Sequence, residues 1–436
     1  MGVQPCEIEF DRFLLLIGEQ ASGKSTIAKL IYFFQSLPDA IYKKVVNSDE
    51  KEYALPTHLQ FVTMGEFFAI FGSKDKEIDI EFHYSTEIIV KFIAKTKQYH
   101  TIYSIHIFDI NNNNSENLLR EIVQNFFLDS NNSNNILKKE LLKNLNQLFS
   151  RETPINNYLI AGRNNVVAFS EYFESKVKFE VEKLIEDEIK GQDFQKRIRF
   201  GNEKLLLEFV NWSSDIRKYF QSNGGTFNAI KSNLENKDAL TIFERIAKKI
   251  LKGEYSHDSN GEYLKINEKE RVQMKDASSG QQEVLRILQG FFLSIGLKNR
   301  REFFVVEEPE AHLYPLAQKE LINAFALFLN TIKEGRLIIT THSPYILACV
   351  NILLFANYVA NELPEAKKEV LESVQKDFWL DSKMFSAYSL GHGEVYCTNI
   401  KDPETGLIDQ NYLDAISEQL GTQYNNLYNL LVENHV

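Results

Sequence analysis

A stretch with the residue types and spacing to bind phosphate lies near the start of the chain, GEQASGKS at 18–25. It fits G-x-x-x-x-G-K-[ST], in which glycines let the backbone turn tightly so that its N–H groups face an anion. In this pattern Lys24 reaches the β- and γ-phosphates of a nucleotide, and Ser25 ligates Mg²⁺. A plain glycine turn between a strand and a helix is the alternative. The predicted nucleotide-binding residues are Gly18, Glu19, Gln20, Ala21, Ser22, Gly23, Lys24, Ser25 and Thr26.

Two adjacent carboxylates, Glu307 and Glu308, follow the apolar run FFVV at 303–306. Acids directly after a buried strand lie at the carboxyl edge of a parallel sheet, where ligands bind. There Glu307 can hold Mg²⁺ through water, and Glu308 can orient or deprotonate an attacking water. A solvated acidic turn is the alternative. We therefore predict Glu307 as a metal ligand together with Ser25, and Glu308 as a catalytic residue.

A histidine, His342, follows a second apolar run within LIITTHSPY at 337–345. A lone histidine is usually structural. At the same edge of the sheet, however, it is a candidate contact for a γ-phosphate, and an imidazole changes charge near neutral pH. We predict His342 as the second catalytic residue.

A second set of small residues precedes a helical pattern in DASSGQQEVLRIL at 276–288. Small residues at a helix start make another site for an anion. Because the chain already has one such site, the second makes sense if it closes on the nucleotide of another subunit. The residues predicted to act in this way are Ser278, Ser279, Gly280 and Gln281.

The order of the P-loop, SSGQQE, VVEEPEAHLYP and TTHSPY resembles the ABC-type ATPases of the SMC, RecF and OLD-nuclease group. The resemblance covers residues 8–35 and 270–350 strongly, and the middle only as architecture. It implies an α/β fold: a P-loop NTPase, with an ABC-type ATPase head, an antiparallel β subdomain and a helical insertion. It also implies ATP and Mg²⁺ as cofactors, held between two heads so that the signature motif of one head caps the ATP of the other.

By this resemblance, 278–281 is the signature, Glu307 and Glu308 are the Walker B pair, PEAHL at 309–313 is the D-loop and His342 is the switch histidine.

The chain departs from the family pattern at two positions. Glu307 stands where aspartate is usual, which lengthens its reach to Mg²⁺, and Ala277 stands where leucine is usual. For the Q-loop glutamine, Gln60 is a candidate by position only, and the loop after YLIAG is a rival.

The elements that must position these motifs are short apolar runs at 13–17, 303–306 and 337–339. Such unbroken runs predict strands buried on both faces, as in a parallel sheet. After the P-loop, apolar residues recur at helical spacing, and Pro38 is predicted to stop that helix. Residues 261–276 predict a small hairpin that leads into the signature.

The middle of the chain has other patterns. Alternation over 78–110 predicts an antiparallel meander, and NNYLIAGR at 156–163 predicts one more buried strand with its exit loop. Asn-rich stretches at 111–117 and 130–135 are predicted to bound an exposed helical hairpin. Residues 168–252 fit a helical arm or, equally, a plain helical subdomain. The apolar stripe behind that prediction is Phe173, Val177, Val181, Leu184 and Ile185.

The predicted organisation has three parts. Residues 1–110 form the N-terminal half of the ATPase head, and 111–265 form the helical insertion or arm, with strand 156–163 returning to the head. Residues 266–436 form the C-terminal half of the head and a C-terminal extension.

Composition bounds the class of protein. The chain has 436 residues, enough for two or three domains, and its 44% apolar and 25% charged residues are ordinary for a globular protein. A net charge of -11 argues against a polybasic DNA binder, although it leaves room for a local basic groove.

Three cysteines form neither a metal pattern nor a disulfide framework, which favours the cytoplasm. The start, MGVQPCEIEF, lacks the pattern of a signal peptide. The apolar stretch at 345–360 contains two asparagines and predicts a buried helix rather than a membrane span.

Within the group that the chain resembles, a transporter motor would need membrane partners. A long-armed SMC protein would need long heptad repeats, and an OLD nuclease would need a Toprim domain. None of these patterns is evident in the sequence. The chain therefore looks like a stand-alone ATPase head, similar to ATPase subunits of antiphage systems such as PARIS and Septu. We expect a cytoplasmic homodimer or higher homo-oligomer with no membrane partner.

The resemblance implies a sensor and scaffold that controls a separately encoded nuclease or toxic effector in antiphage defence, with DNA or a phage protein as the trigger. The alternative is a RecF- or SMC-like DNA-binding ATPase in DNA repair. A nucleotide-binding structural protein with weak hydrolysis is a third hypothesis.

Overall fold

A computed structural model describes residues 4–47, 77–97, 100–109, 135–149, 154–169, 203–298, 300–391 and 395–409, with isolated residues elsewhere. The chain divides into two units. The first comprises Met1–Ala28, Leu159–Phe173 and Trp212–Val436, and the second comprises Lys29–Tyr158 and Glu174–Asn211.

The described strands, in chain order, are β1 (Phe13–Gly18), β2 (Ile78–His83), β3 (Ile88–Lys97), β4 (His100–Asp109), β5 (Ile155–Leu159), β6 (Glu254–Asp258), β7 (Gly261–Lys265), β8 (Arg271–Gln273), β9 (Glu302–Glu307), β10 (Arg336–Thr341), β11 (Phe385–Leu390) and β12 (Cys397–Asn399).

The described α-helices are α1 (Lys24–Asn47), α2 (Asn135–Leu148), α3 (Arg163–Ala168), α4 (Glu203–Ser222), α5 (Phe227–Lys231), α6 (Lys237–Leu251), α7 (Ser279–Gly296), α8 (Pro315–Thr331), α9 (Pro344–Glu362) and α10 (Lys367–Ser373).

The first unit is built on a mostly parallel sheet with the order β12-β11-β1-β10-β9. Strand β1 pairs in parallel with both β10 and β11, β10 pairs in parallel with β9, and only β12 is antiparallel to its neighbour. The three strands predicted from unbroken apolar runs are confirmed, and they lie side by side. Their side chains are buried on both faces, as the absence of alternation in the sequence predicts.

Helix α7, which begins at the predicted signature, is buried along its whole length from Gln282 onward. Phe291 stacks on Phe304 of β9 with ring centroids 4.2 Å apart, and packs against Phe325 and Phe328 of α8. Each buried phenylalanine contributes about 1.5–3 kcal/mol relative to an exposed one. The packing therefore fixes α7 against the strand that carries Glu307.

The predicted hairpin before the signature is confirmed. Strands β6, β7 and β8 form a small antiparallel sheet, and a 3-10 turn at Met274–Asp276 leads from it to Ser278.

The apolar helix predicted at 345–360 is present as α9. It is the one helix of the described part that is long and apolar enough to cross a membrane by length and composition. Ile346, Leu347 and Val350 are buried, whereas Ile352 and Phe355 are exposed. The predicted burial therefore holds for one face of α9 only.

In the second unit, β2, β3 and β4 form an antiparallel sheet, which confirms the meander predicted over 78–110. Phe34 of α1 stacks on Phe82 of β2, with ring centroids 4.9 Å apart. The Tyr84 hydroxyl donates a hydrogen bond to the Phe34 carbonyl.

The prediction that Pro38 stops the first helix is wrong, since α1 continues to Asn47. A proline inside a helix costs about 3 kcal/mol. Leu37, Ile41 and Val45 are all buried on the same helix, so continuing it buries apolar area that offsets this cost.

Several predictions concern residues outside the described part. They include the Asn-rich stretches at 111–117 and 130–134, the apolar stripe between Phe173 and Ile185, and the Q-loop candidate Gln60. Helices α4 and α6 confirm a helical pattern over part of 168–252, and the choice between arm and subdomain stays a prediction.

Candidate functional site

The P-loop connects β1 to α1 at the carboxyl edge of the sheet. Ala21 and Gly23 have φ of 61° and 96°, so the loop turns through the left-handed region. A Cβ at Gly18 would lie 2.3 Å from the Leu390 carbonyl oxygen of β11. Glycine is therefore required at position 18 by the close approach of the neighbouring strand.

Lys24 is the first residue of α1 and only 4% exposed. Its Nζ donates hydrogen bonds to the carbonyl oxygens of Gly18 and Glu19, both at 2.7 Å. Burial lowers the pKa of Lys24, and the charges of Glu308 and Glu310 act in the opposite direction. The ammonium is thus held inside the loop by backbone carbonyl oxygens.

The predicted Walker B residues lie at the end of β9. Glu307 is buried, and its Oε2 accepts a hydrogen bond of 3.1 Å from the Ala161 amide. Glu308 has a φ of 43°, and its amide donates to the Thr340 carbonyl at 2.8 Å. A non-glycine residue in this conformation costs on the order of 1–3 kcal/mol, so the surroundings must hold it.

The structure brings His342 to the same place. Its Nε2 lies 3.3 Å from Oε1 of Glu308, and its Nδ1 lies 3.5 Å from Nζ of Lys24. The side chains of His342 and Glu308 are 30% and 39% exposed, so this polar cluster opens to solvent. Three residues predicted from three separate motifs therefore converge.

Glu310 holds the loop that carries His342, a role that the sequence alone did not indicate. Its Oε1 accepts hydrogen bonds from the Thr341 hydroxyl at 2.6 Å and the His342 amide at 2.8 Å. The D-loop and the end of β10 are joined through this carboxylate.

The predicted signature residues lie at the start of α7. Ser278 is the N-cap, and it forms a capping box with Gln281. Gln281 Nε2 also donates to the Leu251 carbonyl at 2.7 Å. A Cβ at Gly280 would lie 2.4 Å from the His312 carbonyl oxygen, so the signature packs directly on the D-loop. Ser278 and Ser279 are exposed at the positive end of a long helix.

Arg163 contacts several of these elements, and sequence reasoning missed it. It follows β5 and is fully buried. Its guanidinium pairs with Glu283 of α7 at 3.2 Å and donates to the Glu307 carbonyl at 2.6 Å. The available signal was a cation three residues after the strand-like run YLI, in the loop considered only as a rival place for the Q-loop glutamine.

Tyr396, also missed, donates its hydroxyl proton to the Ser22 carbonyl at 2.7 Å. Burial raises the pKa of Tyr396 to about 12, and the nearby thiols of Cys6 and Cys397 add to the shift. Tyr396 is therefore a neutral donor that supports the P-loop from the far end of the chain. No sequence pattern around it indicated this role.

The residues present fit a nucleoside triphosphate with Mg²⁺. The first turn of α1 carries no acidic residue that would oppose the positive end of the helix. Lys24 supplies a positive charge within the loop. Ser25 and Glu307 offer hard oxygen donors of the kind Mg²⁺ takes.

Comparison with protein families places the chain in a known class. Residues 2–347 match the family described as AAA ATPase domain. Because the match spans most of the chain, the protein belongs to this family. Together with the parallel sheet and the P-loop between β1 and α1, it confirms the predicted α/β P-loop NTPase fold.

No curated protein matches the chain. Among solved structures, the SMC head bound to the C-winged helix domain of ScpA is 13% identical, with a TM-score of 0.37 over 90% of this chain and 91% of that one. The SMC head domain from Thermotoga maritima is 11% identical, with a TM-score of 0.31 over 91% of this chain and 93% of that one.

Proposed function

We propose that the chain is a Mg²⁺-dependent ATPase that binds and hydrolyses ATP between two heads. The observation that carries this proposal is the cluster of Lys24, Glu308 and His342. The Lys24 ammonium lies 3.5 Å from Nδ1 of His342, and the Glu308 carboxylate lies 3.3 Å from Nε2. A cation inside the P-loop, a carboxylate and an imidazole are the groups that a phosphoryl transfer to water requires.

Each residue has a separate task in the proposal. Lys24 neutralises phosphate charge from inside the loop, while Ser25 and Glu307 would hold Mg²⁺, which supplies further charge neutralisation when bound. Glu308 orients a water molecule and accepts its proton. His342 fixes the Glu308 carboxylate on one side and contacts the γ-phosphate region on the other.

The position of the predicted signature supports head-to-head association. Ser278 and Ser279 are exposed, and beyond the adjoining D-loop the large apolar side chains of Tyr314 and Leu316 are 74% and 67% exposed. Exposed apolar residues beside an anion-binding helix start favour contact with a second copy of the chain.

On the motif resemblance, we place this ATPase in the cytoplasm, as a sensor and scaffold that controls a separately encoded nuclease or toxic effector in antiphage defence. The alternative is a RecF- or SMC-like DNA-binding ATPase in repair. The trigger in the first case is DNA or a phage protein. In the second case DNA itself is the substrate.

A phosphate-release assay on the purified protein with ATP tests the proposed ATPase activity. Turnover should require Mg²⁺ and should be lost in Lys24→Ala. Absence of turnover in the presence of Mg²⁺, DNA and the neighbouring gene product would reject it. Co-purification with a neighbouring nuclease supports the defence role, whereas turnover stimulated by duplex DNA without that partner supports the alternative.

A further inference from the structure

The Arg163 side chain connects two motifs that lie far apart in the sequence. On one side it holds the signature helix α7. The Arg163 amide donates to Glu283 Oε2 at 3.1 Å, Nε donates to the Glu283 carbonyl at 3.3 Å, and Nε lies 3.2 Å from Oε2. Both side chains are almost completely buried, at 0% and 1% exposure. Water therefore does not screen the pair.

On its other side the same guanidinium holds the end of β9. Nη1 donates to the Glu307 carbonyl at 2.6 Å, and Nη2 donates to the Glu308 carbonyl at 3.1 Å. Nη1 also donates to the Ile160 carbonyl at 2.6 Å, which fixes the arginine in its own loop. One rigid, planar group thus spans from α7 to the backbone of the residue proposed as the base.

The backbone of Glu308 needs this support because its φ is 43°. Its carbonyl accepts from Arg163 and from the Ala311 amide, the latter at 3.1 Å. If the arginine were absent, the Glu307 and Glu308 carbonyls would each lose one donor, and the strained conformation would lose a partner.

We infer that Arg163 is a positioning residue that holds the backbone of Glu308 in its left-handed conformation and couples that conformation to the signature helix through Glu283. This inference rests on the proposed ATPase function. Contact of α7 with a partner head is then transmitted to Glu308, because α7 and Glu308 share one guanidinium. Arg163 itself does not touch the reacting atoms.

A purely structural role is the competing explanation, and the chain offers a matched control. Arg286 lies on the same helix and is also fully buried. It pairs with Glu262 through Nη1 at 2.7 Å and Nη2 at 2.7 Å. Its guanidinium donates to Ser213, Glu262 and Gln289, so Arg286→Lys perturbs a buried ion pair without removing a donor to the Glu308 carbonyl.

The test compares Arg163→Lys, Glu283→Gln and Arg286→Lys in the full-length protein. We expect Arg163→Lys to lower kcat roughly 10- to 100-fold, as for a misplaced catalytic group, while ATP affinity changes less than about threefold. Glu283→Gln should also lower kcat, as Arg163→Lys does. Arg286→Lys should lower the melting temperature as much but leave kcat near the parental value. Equal kcat in Arg163→Lys and Arg286→Lys would overturn the inference.

Hydrogen exchange provides a readout that does not depend on activity. Arg163→Lys should speed exchange at the amides of Glu308 and Ala311, which bond to Thr340 and Glu308 respectively, whereas Arg286→Lys should not. If the parent protein does not hydrolyse ATP, the proposed function fails, yet this comparison still decides the coupling. Unchanged exchange in Arg163→Lys would reject it.

Discussion

The imidazole of His342 lies between Glu308 and Lys24, with Nε2 3.3 Å from the carboxylate and Nδ1 3.5 Å from the ammonium. The carboxylate can accept a hydrogen bond from one ring nitrogen, and the ammonium can donate one to the other. Because the Glu310 carboxylate fixes the His342 amide, the ring is held by both its backbone and its side chain.

Glu308→Gln tests the base. Glutamine keeps the size and hydrogen bonding of the side chain but cannot accept a proton. We expect ATP to bind and hydrolysis to fall on the order of 10²–10⁴-fold. The closed dimer should persist, which size-exclusion chromatography with ATP and Mg²⁺ would detect beside a phosphate-release assay.

Glu307→Gln is the companion variant for that experiment. It should raise the Mg²⁺ concentration needed for turnover rather than trap the dimer, because Glu307 is the proposed metal-side acid. Hydrolysis by Glu308→Gln at the parental rate would contradict the assignment of the base.

The sequence indicated the motifs that the structure brings together here, since a P-loop or a pair of acids after a strand is a short pattern with its own chemistry. It missed β11, FSAYSL, because serine and tyrosine interrupt the apolar run that identifies a buried strand. It also missed Arg163 and Tyr396, whose bonds to Glu307 and Ser22 join residues more than a hundred positions apart. The wrong prediction at Pro38 has the same origin. Ile41 and Val45 are buried by tertiary packing, which the rule that proline ends a helix does not consider.

Lys24→Ala tests the P-loop. The ammonium is the charge that the loop aims at phosphate, and the variant should lose detectable ATP binding. Its fold should survive because the Nζ partners are loop carbonyls, the Ser22 hydroxyl and the His342 imidazole rather than the apolar core. Nucleotide affinity and thermal melting measure the two effects separately. Unchanged affinity would reject the P-loop assignment.

Glu262→Gln tests a buried ion pair away from the proposed site. Burial alone raises the pKa of Glu262, but the charge of Arg286 and the hydrogen bonds from Arg286 and Tyr255 outweigh it, so the pKa is lowered. Leaving Arg286 buried without its carboxylate should cost about 3–5 kcal/mol in the free energy of unfolding at pH 7.

The same lowered pKa gives the sign of the pH effect. A carboxylate whose pKa is lower in the folded state stabilises the fold above its unfolded pKa, and this contribution is lost as pH falls through the folded value. The parent should therefore lose stability below about pH 4.3, the ordinary value for glutamate, and Glu262→Gln should lose less. Urea unfolding at pH 7 and pH 4 measures both. Glu254→Gln, whose ion pair with Lys248 is exposed, is the control and should change stability by less than about 1 kcal/mol.

Ser278→Arg and Lys24→Ala together test whether the signature acts on the ATP of a partner. Ser278→Arg should bind ATP but stop hydrolysis, because a bulky cation at an exposed helix start obstructs closure over the other head. Lys24→Ala binds no ATP but keeps an intact signature. Each variant alone should be inactive.

In a mixed dimer, however, the P-loop of the Ser278→Arg chain faces the intact signature of the Lys24→Ala chain, so one complete site forms. Mixing the two proteins should therefore restore part of the phosphate release, and the restored rate should rise with total protein concentration as dimers exchange. Mixing Lys24→Ala with Glu308→Gln is the matched control. The P-loop and the base of each site come from the same head, so in this mixed dimer every site lacks either a working P-loop or a working base. Normal turnover by Ser278→Arg alone, or no recovery on mixing while the two proteins co-elute with ATP as a dimer, would show that the signature does not act in trans.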